Sequence, residues 1–163
     1  MYDTKTDKQL KAYEGLQDKN WQRLIHNLKR YFDSWAHHTI KNYWGNMKIS
    51  YMPVICNISV DGSTVAELAR TTLIPKQNMS RTIAELEKNG MIVSRPNSGD
   101  KRSEILELTH KGKQMMLKAN NDVFKMSKIY KTLVGEKDLE IAVRVLNTIM
   151  DYHESLAAKN NPQ

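Results

Sequence analysis

Three scarcities in this 163-residue chain each remove a class of function. Cysteine occurs once, at Cys56, so no internal disulfide can form and no cysteine cluster can hold zinc. Long apolar runs are missing: none approaches the ~18 residues of a membrane span. Residues 1–15 are polar and lack the apolar core of a secretory signal. A cytoplasmic protein with no membrane partner is the expectation. Acid is also short, with 18 Asp and Glu against 25 Lys and Arg, a formal charge of +7 that favours polyanionic partners. No nucleophile–base signature and no phosphate-binding glycine loop appears, so neither an enzyme nor a cofactor is expected. Histidines stand at His26, His37, His38, His110 and His153. The adjacent pair would point about 100° apart on a helix. Without an i,i+4 partner they predict no metal site.

What is present is helical periodicity, broken once. The length suits one domain, or a small domain with helical extensions, and can bury a core without a staple. Residues 1–19 are polar and charged, frayed or partly helical. Within residues 20–44, Trp21, Leu24, Ile25, Leu28, Tyr31, Phe32 and Trp35 recur at spacings of three and four, an apolar helical stripe. Residues 49–59 form a shorter apolar stretch with Pro53 in its first turn, and Asp61-Gly62 marks a turn. Thr64 and Glu67 form a capping box before Val65, Leu68 and Ala69, a helix ending near Thr71. Thr72-Leu73-Ile74 leads to Pro75, the expected first residue of a helix over 75–89 that stops at Gly90. Two short helices on a tight turn make a helix-turn-helix.

After Gly90 the period becomes two. Residues 91–95 read as a strand, 96–100 as a turn and 103–108 as a returning strand, with Leu106 and Leu108 alternating against Ile105 and Glu107. A hairpin behind a helix-turn-helix is a wing. Thr109 caps a helix to about Leu133, Gly135 breaks it, and a last helix covers about 136–158. Its positions Leu139, Ala142, Val145, Leu146, Ile149, Tyr152 and Leu156 share one apolar face. The fold class is mostly α with a small β-hairpin wing: a winged helix-turn-helix flanked by N- and C-terminal dimerisation helices. The winged part spans 49–112, and the dimerisation helices span 20–44 and 113–158.

On the helix over 75–89, Met79, Ile83 and Leu86 should face the core. Lys76, Gln77, Ser80, Arg81 and Ala84 fall on another face, with Asn78 at its edge. None of those five is acidic and the face is narrow at Ala84, so it can approach a major groove. Gln pairs with adenine, Arg or Lys with guanine, and Ser with base or phosphate. Glu85 and Glu87 lie toward the other end, away from base reading. An ordinary solvated face is the alternative for any such helix; the capped helix before it and the basic hairpin after it favour DNA. A protein-binding winged module would show an acidic or apolar face instead. At the wing tip, expected to be mobile, Lys101 and Arg102 can reach a phosphate backbone or narrow minor groove. Asp100 could orient the Arg102 guanidinium. Arg95 is a further candidate phosphate contact.

Those residues resemble the MarR (multiple antibiotic resistance regulator) family in order and spacing. The match runs through Thr64 to Arg70, Met79 to Val93, the Asp100-Lys101-Arg102 tip and Leu108-Thr109-His110-Lys111-Gly112, and covers about residues 64–112. The resemblance implies a homodimer with intertwined terminal helices, binding double-stranded DNA at a pseudo-palindromic operator. It implies a transcriptional repressor, with an activator or a redox-responsive regulator of the same fold as the alternative. It also implies release by a small aromatic or phenolic ligand, for which Trp21, Trp35, Tyr51 and Met52 are candidate cleft residues, although aromatic stripes more often form core. Independently of the family, the apolar faces at 21–35 and 139–156 exceed what one small winged domain can cover, and a two-fold dimer would cover them. Cys56, in an apolar segment without an adjacent cation, is expected to be buried and inert.

Overall fold

The computed structural model describes residues 4–45, 47–72, 74–100 and 102–160, apart from the side chains of Lys76 and residues 157–160. The polar opening is more ordered than the sequence suggests: it forms helix α1 (Thr4–Glu14) and a 3-10 turn at Gln17–Lys19. Asn20 starts α2 (Trp21–Trp44), its side-chain oxygen accepting the Arg23 N–H at 3.0 Å and satisfying one orphan donor of the first turn. A 3-10 turn at Ile49–Tyr51 leads into α3 (Met52–Cys56), with Pro53 in its first turn.

The capping box forms in both directions. Thr64 Oγ1 accepts the Glu67 N–H at 3.2 Å, and Glu67 Oε2 accepts the Thr64 N–H at 2.7 Å. The helix it opens is α4 (Val65–Thr72). The next helix, α5 (Lys76–Lys88), starts one residue later than expected. Pro75 is its N-cap, with extended ψ of 140°, and its carbonyl takes the N–H groups of Asn78 and Met79. The helix closes as its sequence indicates. Gly90 is left-handed at φ 68°, its N–H bonds the Glu87 carbonyl, and the Met91 N–H returns to the Leu86 carbonyl. That pair of bonds is a Schellman closure.

Strands β2 (Ile92–Pro96) and β3 (Glu104–Leu108) pair antiparallel, from Ile92 opposite Leu108 to Pro96 opposite Glu104. Pro96 therefore belongs to a strand and not to the turn. A two-residue strand, β1 (Ser63–Thr64), pairs with the other side of β3, giving the order β1-β3-β2. It is too short to leave a period in the sequence. Helices α6 (His110–Val134) and α7 (Glu136–Asn160) complete the chain, separated by Gly135 at φ 84°.

Thr109 joins α6 to the end of α5. Its hydroxyl oxygen accepts the Gly112 N–H at 3.0 Å, as a cap should, and the same hydroxyl donates to the Gly90 carbonyl at 2.7 Å. The Thr109 N–H bonds the Met91 carbonyl at 3.0 Å.

Two compact units result, residues 1–116 and 117–163, and the boundary falls inside α6. In the first, Trp44, Val54, Ile55, Leu68, Met79, Leu86 and Leu106 are fully buried. Ile83 is only half-buried, while Thr82, one position earlier, is buried. The Thr82 hydroxyl donates to the Asn78 carbonyl at 3.0 Å, so its burial leaves no unmet polar group. Only the C-terminal end of α2 enters this core. Its stripe of Trp21, Leu24, Ile25, Leu28 and Phe32 stays exposed, Trp21 at 53%. In the second unit Leu146, Ile149, Tyr152 and Leu156 of the α7 face are also exposed. No helix among the described residues is long and apolar enough to cross a membrane.

Candidate nucleic-acid interface

Helix α5 is anchored from behind by Met79 and Leu86, both fully buried, and this fixes which face looks outward. Gln77, Asn78, Ser80, Arg81 and Ala84 are all exposed on α5. The backbone of Lys76 opens the helix. No acid lies in the first turn, and Pro75 supplies no side-chain cap. The positive end of the helix dipole therefore carries no side-chain cap, a favourable setting for a phosphate oxygen. Among the described residues, no side-chain partner is found for the Arg81 guanidinium.

The wing differs from expectation in three ways. Arg95 is paired within the hairpin: its Nε donates to Glu107 Oε2 at 2.9 Å across the two strands. Arg95 lies opposite Ile105 and Val93 opposite Glu107, so the pair is a diagonal cross-strand contact. Both side chains are largely exposed, so the pair adds little to stability but lowers the charge Arg95 can offer a phosphate. Second, Asp100 holds backbone: its Oδ1 accepts the Arg102 main-chain N–H at 3.0 Å, and no Asp100 contact with the Arg102 guanidinium is found among the described residues. Third, the tip is tied down. Asn97 Oδ1 accepts the Gly99 N–H, Asn97 Nδ2 donates to Ser103 Oγ, and the Asp100 carbonyl accepts the Ser103 N–H. Asn97 and Asp100 mimic backbone turns, as short polar side chains do. Arg102 is thus an exposed cation on a defined loop. Lys101 lies outside the described residues.

One contact between the reading helix and the wing was not legible in the sequence. Glu87 Oε1 accepts both the Ser94 N–H at 3.0 Å and the Ser94 hydroxyl at 2.5 Å, linking the last turn of α5 to the middle of β2. Seven residues and a turn separate the two, and no periodic signal connects them.

The four candidate ligand residues do not converge in the chain. Trp21 and Trp35 lie fourteen positions apart on α2, about 21 Å along its axis at the helical rise. Trp21 is exposed, Trp35 and Met52 are half-buried, and Tyr51 is buried. A cavity of about 250 Å³ lies beside His37, Lys41, Trp44, Gly45, Met47, Lys48 and Ile49. Its Trp44 wall is held by a bond from Nε1 to the Lys48 carbonyl at 3.1 Å.

Cys56 is exposed, contrary to expectation, because the five-residue α3 turns Val54 and Ile55 into the core and leaves its last residue outside. Its thiol sits 4.0 Å from Met116 Sδ, and partial burial raises its pKa above the usual 9.0. The group stays protonated at neutral pH, where only the thiolate reacts readily. No group of three or more metal-ligating side chains occurs among the described residues.

The MarR family model matches residues 47–103. The transcriptional activatory protein BadR of Rhodopseudomonas palustris is 26% identical over 72 residues, which is 44% of this chain and 39% of that protein's length. Among solved structures, the transcriptional repressor CouR, bound to a 23-mer DNA duplex, aligns with a TM-score of 0.71 at 21% identity, covering 83% of this chain and 96% of CouR. MarR itself aligns with a TM-score of 0.74 at 16% identity, covering 86% of this chain and 95% of MarR. At such identities these two structures establish likeness of fold.

Proposed function

We propose that this chain, whose residues 47–103 match the MarR family model, is a DNA-binding transcription regulator of that family and acts as a homodimeric repressor at a pseudo-palindromic operator. One observation carries the reading of base sequence: Gln77, Ser80 and Arg81, none of them acidic, stand on the outward side of the N-terminal half of α5, narrowed at Ala84, while the other side is locked into the core. Gln77 and Arg81 supply base-edge hydrogen bonds in the major groove, and Lys76 and Asn78 flank them. Arg102, with Lys101 beside it, contacts phosphate or the adjacent minor groove from the wing. Arg95 is a weaker phosphate contact because Glu107 already engages it.

The homodimer is supported by the exposed apolar stripe on α2 and, separately, by the exposed apolar face of α7, each of which a two-fold partner would cover. A two-fold pair would set its two reading helices in successive major grooves, about 34 Å apart. Release by a small aromatic or phenolic ligand is the third part of the reading. The cavity beside Trp44, rimmed by Lys41 and Lys48, supports it.

A gel-shift and footprint on the DNA upstream of the protein's own gene tests the reading. A two-fold symmetric protected site that outcompetes random DNA is expected, and binding without sequence preference would refute it. A panel of phenolic acids in the same assay tests release. The activatory role named for BadR favours a second outcome, activation. Deleting the gene separates the two: transcription from the bound promoter rises for a repressor and falls for an activator.

A further inference from the structure

Glu87 occupies a place where a carboxylate is disfavoured on two counts. It sits in the last turn of α5, where the helix dipole repels negative charge. It also belongs to the domain assigned above to DNA, whose phosphates repel it. A carboxylate held there needs a compensating contact, and Glu87 has one. Its Oε1 takes the N–H and the hydroxyl of Ser94, in the middle of the outer strand β2.

The inner strand β3 is held midway by β1, which pairs with Leu106 and Ile105, and by the buried Leu106, and two further contacts hold the hairpin base. The Schellman closure at Gly90 and Met91 holds the start of β2, and Thr109 holds the end of β3 to the same turn. Between that base and the tip, the Glu87–Ser94 bonds are the side-chain link from the reading helix to the wing among the described residues. From Ser94 to Asn97 the strand runs about 10 Å at the usual rise, so a ten-degree change in its direction at Ser94 moves the start of the tip by about 2 Å.

We propose that Glu87 is a positioning residue that clamps the wing to the reading helix, so that Arg102 meets the DNA only when the clamp is made. This inference rests on the DNA-binding reading for its consequence, and on the Ser94 contact for its geometry. A carboxamide in place of Glu87 keeps an acceptor oxygen, whereas a methyl group keeps none, and both remove the same charge. Comparing Glu87→Gln with Glu87→Ala therefore isolates the clamp from the electrostatic effect of deleting an acid next to DNA. Ser94→Ala removes the hydroxyl donor and leaves the N–H bond.

Two measurements decide it. In the free full-length protein, amide exchange at residue 94 is expected to accelerate at least tenfold in Glu87→Ala and to stay within about threefold of the natural rate in Glu87→Gln. On the operator, hydroxyl-radical footprinting is expected to lose the outer, wing-protected positions in Glu87→Ala while the central major-groove protection persists. The slope of log affinity against log salt should fall by about one in the same variant relative to Glu87→Gln. Ser94→Ala should lie between the two. Identical exchange in the Gln and Ala variants, or an intact outer footprint in Glu87→Ala, would overturn the clamp. A natural protein that protects no site would instead overturn the DNA reading, and the exchange measurement would still judge the clamp.

Discussion

Gly112 lies in the first turn of α6 against the Met91 carbonyl, and replacing it tests the joint between that helix and the end of the reading helix. A Cβ added there would stand 2.0 Å from the Met91 carbonyl oxygen and 3.1 Å from its carbon. Both are backbone atoms, so no side-chain rotation relieves the clash. The helix and the carbonyl must separate by about 1.4 Å before the contact becomes ordinary. That movement breaks the bond from the Thr109 N–H to Met91 and strains the bond from the Thr109 hydroxyl to Gly90, now 3.0 Å and 2.7 Å. Each lost bond costs about 1 kcal/mol net, and forcing an extra methyl into a packed site costs roughly 1–3 kcal/mol. Alanine's better helix propensity returns up to about 1 kcal/mol. Gly112→Ala should therefore destabilise the protein by about 3 kcal/mol, or roughly 6–12 °C in Tm for a chain of this size. Gly135→Ala is the control. Its φ of 84° is unfavourable for a side chain, unlike the helical backbone of Gly112, but nothing lies within 4 Å of the added Cβ. It should lose only the conformational cost, about 1–2 kcal/mol. Urea unfolding at a fixed protein concentration reads both, because association would shift the apparent stability. A Gly112→Ala loss no larger than that of Gly135→Ala would refute the steric argument.

Arg81→Ala should weaken operator binding by about 1–3 kcal/mol and binding to random DNA far less; equal losses in a competition assay would remove Arg81 from base reading. Arg102→Ala should lower the salt slope of binding by about one, as loss of a phosphate contact does, and an unchanged slope would place the wing tip off the DNA. For Glu67, the Thr64 N–H and then the Thr64 hydroxyl hold the carboxyl below its usual 4.5. A lowered folded-state pKa contributes stability that is present above pH 4.5 and lost as pH falls through the lowered value. Natural protein should therefore be more stable than Glu67→Gln at pH 7, with the gap closing below pH 4.5. A gap that stays constant from pH 7 to pH 3 in thermal melts would contradict the capping-box assignment.

Features set by neighbours along the chain were the ones the sequence disclosed. The Thr64–Glu67 box, the Gly90 stop, the Thr109 cap and the Gly135 break each depend on a few consecutive residues, and each formed. Pro75 moved by one position, from first helical residue to cap, within the usual uncertainty of a helix end. What escaped depends on pairing between distant segments. Strand β1 exists only because β3 offers it an edge, and two residues cannot show alternation. In the sequence Glu87 is only an acid away from the base-reading end, because Ser94 reaches it only after the chain has turned at Gly90. Arg95 read as free for the same reason, since Glu107 meets it through the hairpin register. The cleft residues follow from the family resemblance and not from position, and Trp21 and Trp35 stand most of α2 apart.

The outer edge of the wing has a consequence for the protein as a material. An open strand edge is a template onto which a strand from another molecule can add. Strand β2 is such an edge, yet its middle N–H is occupied by Glu87, Pro96 has no N–H to give, and Arg95 places a charge between them. The opposite edge, β1, is two residues long. Neither side can seed the stacking of one wing on the next. Molecules crowded together on DNA can therefore sit close without their sheets fusing into a growing ribbon.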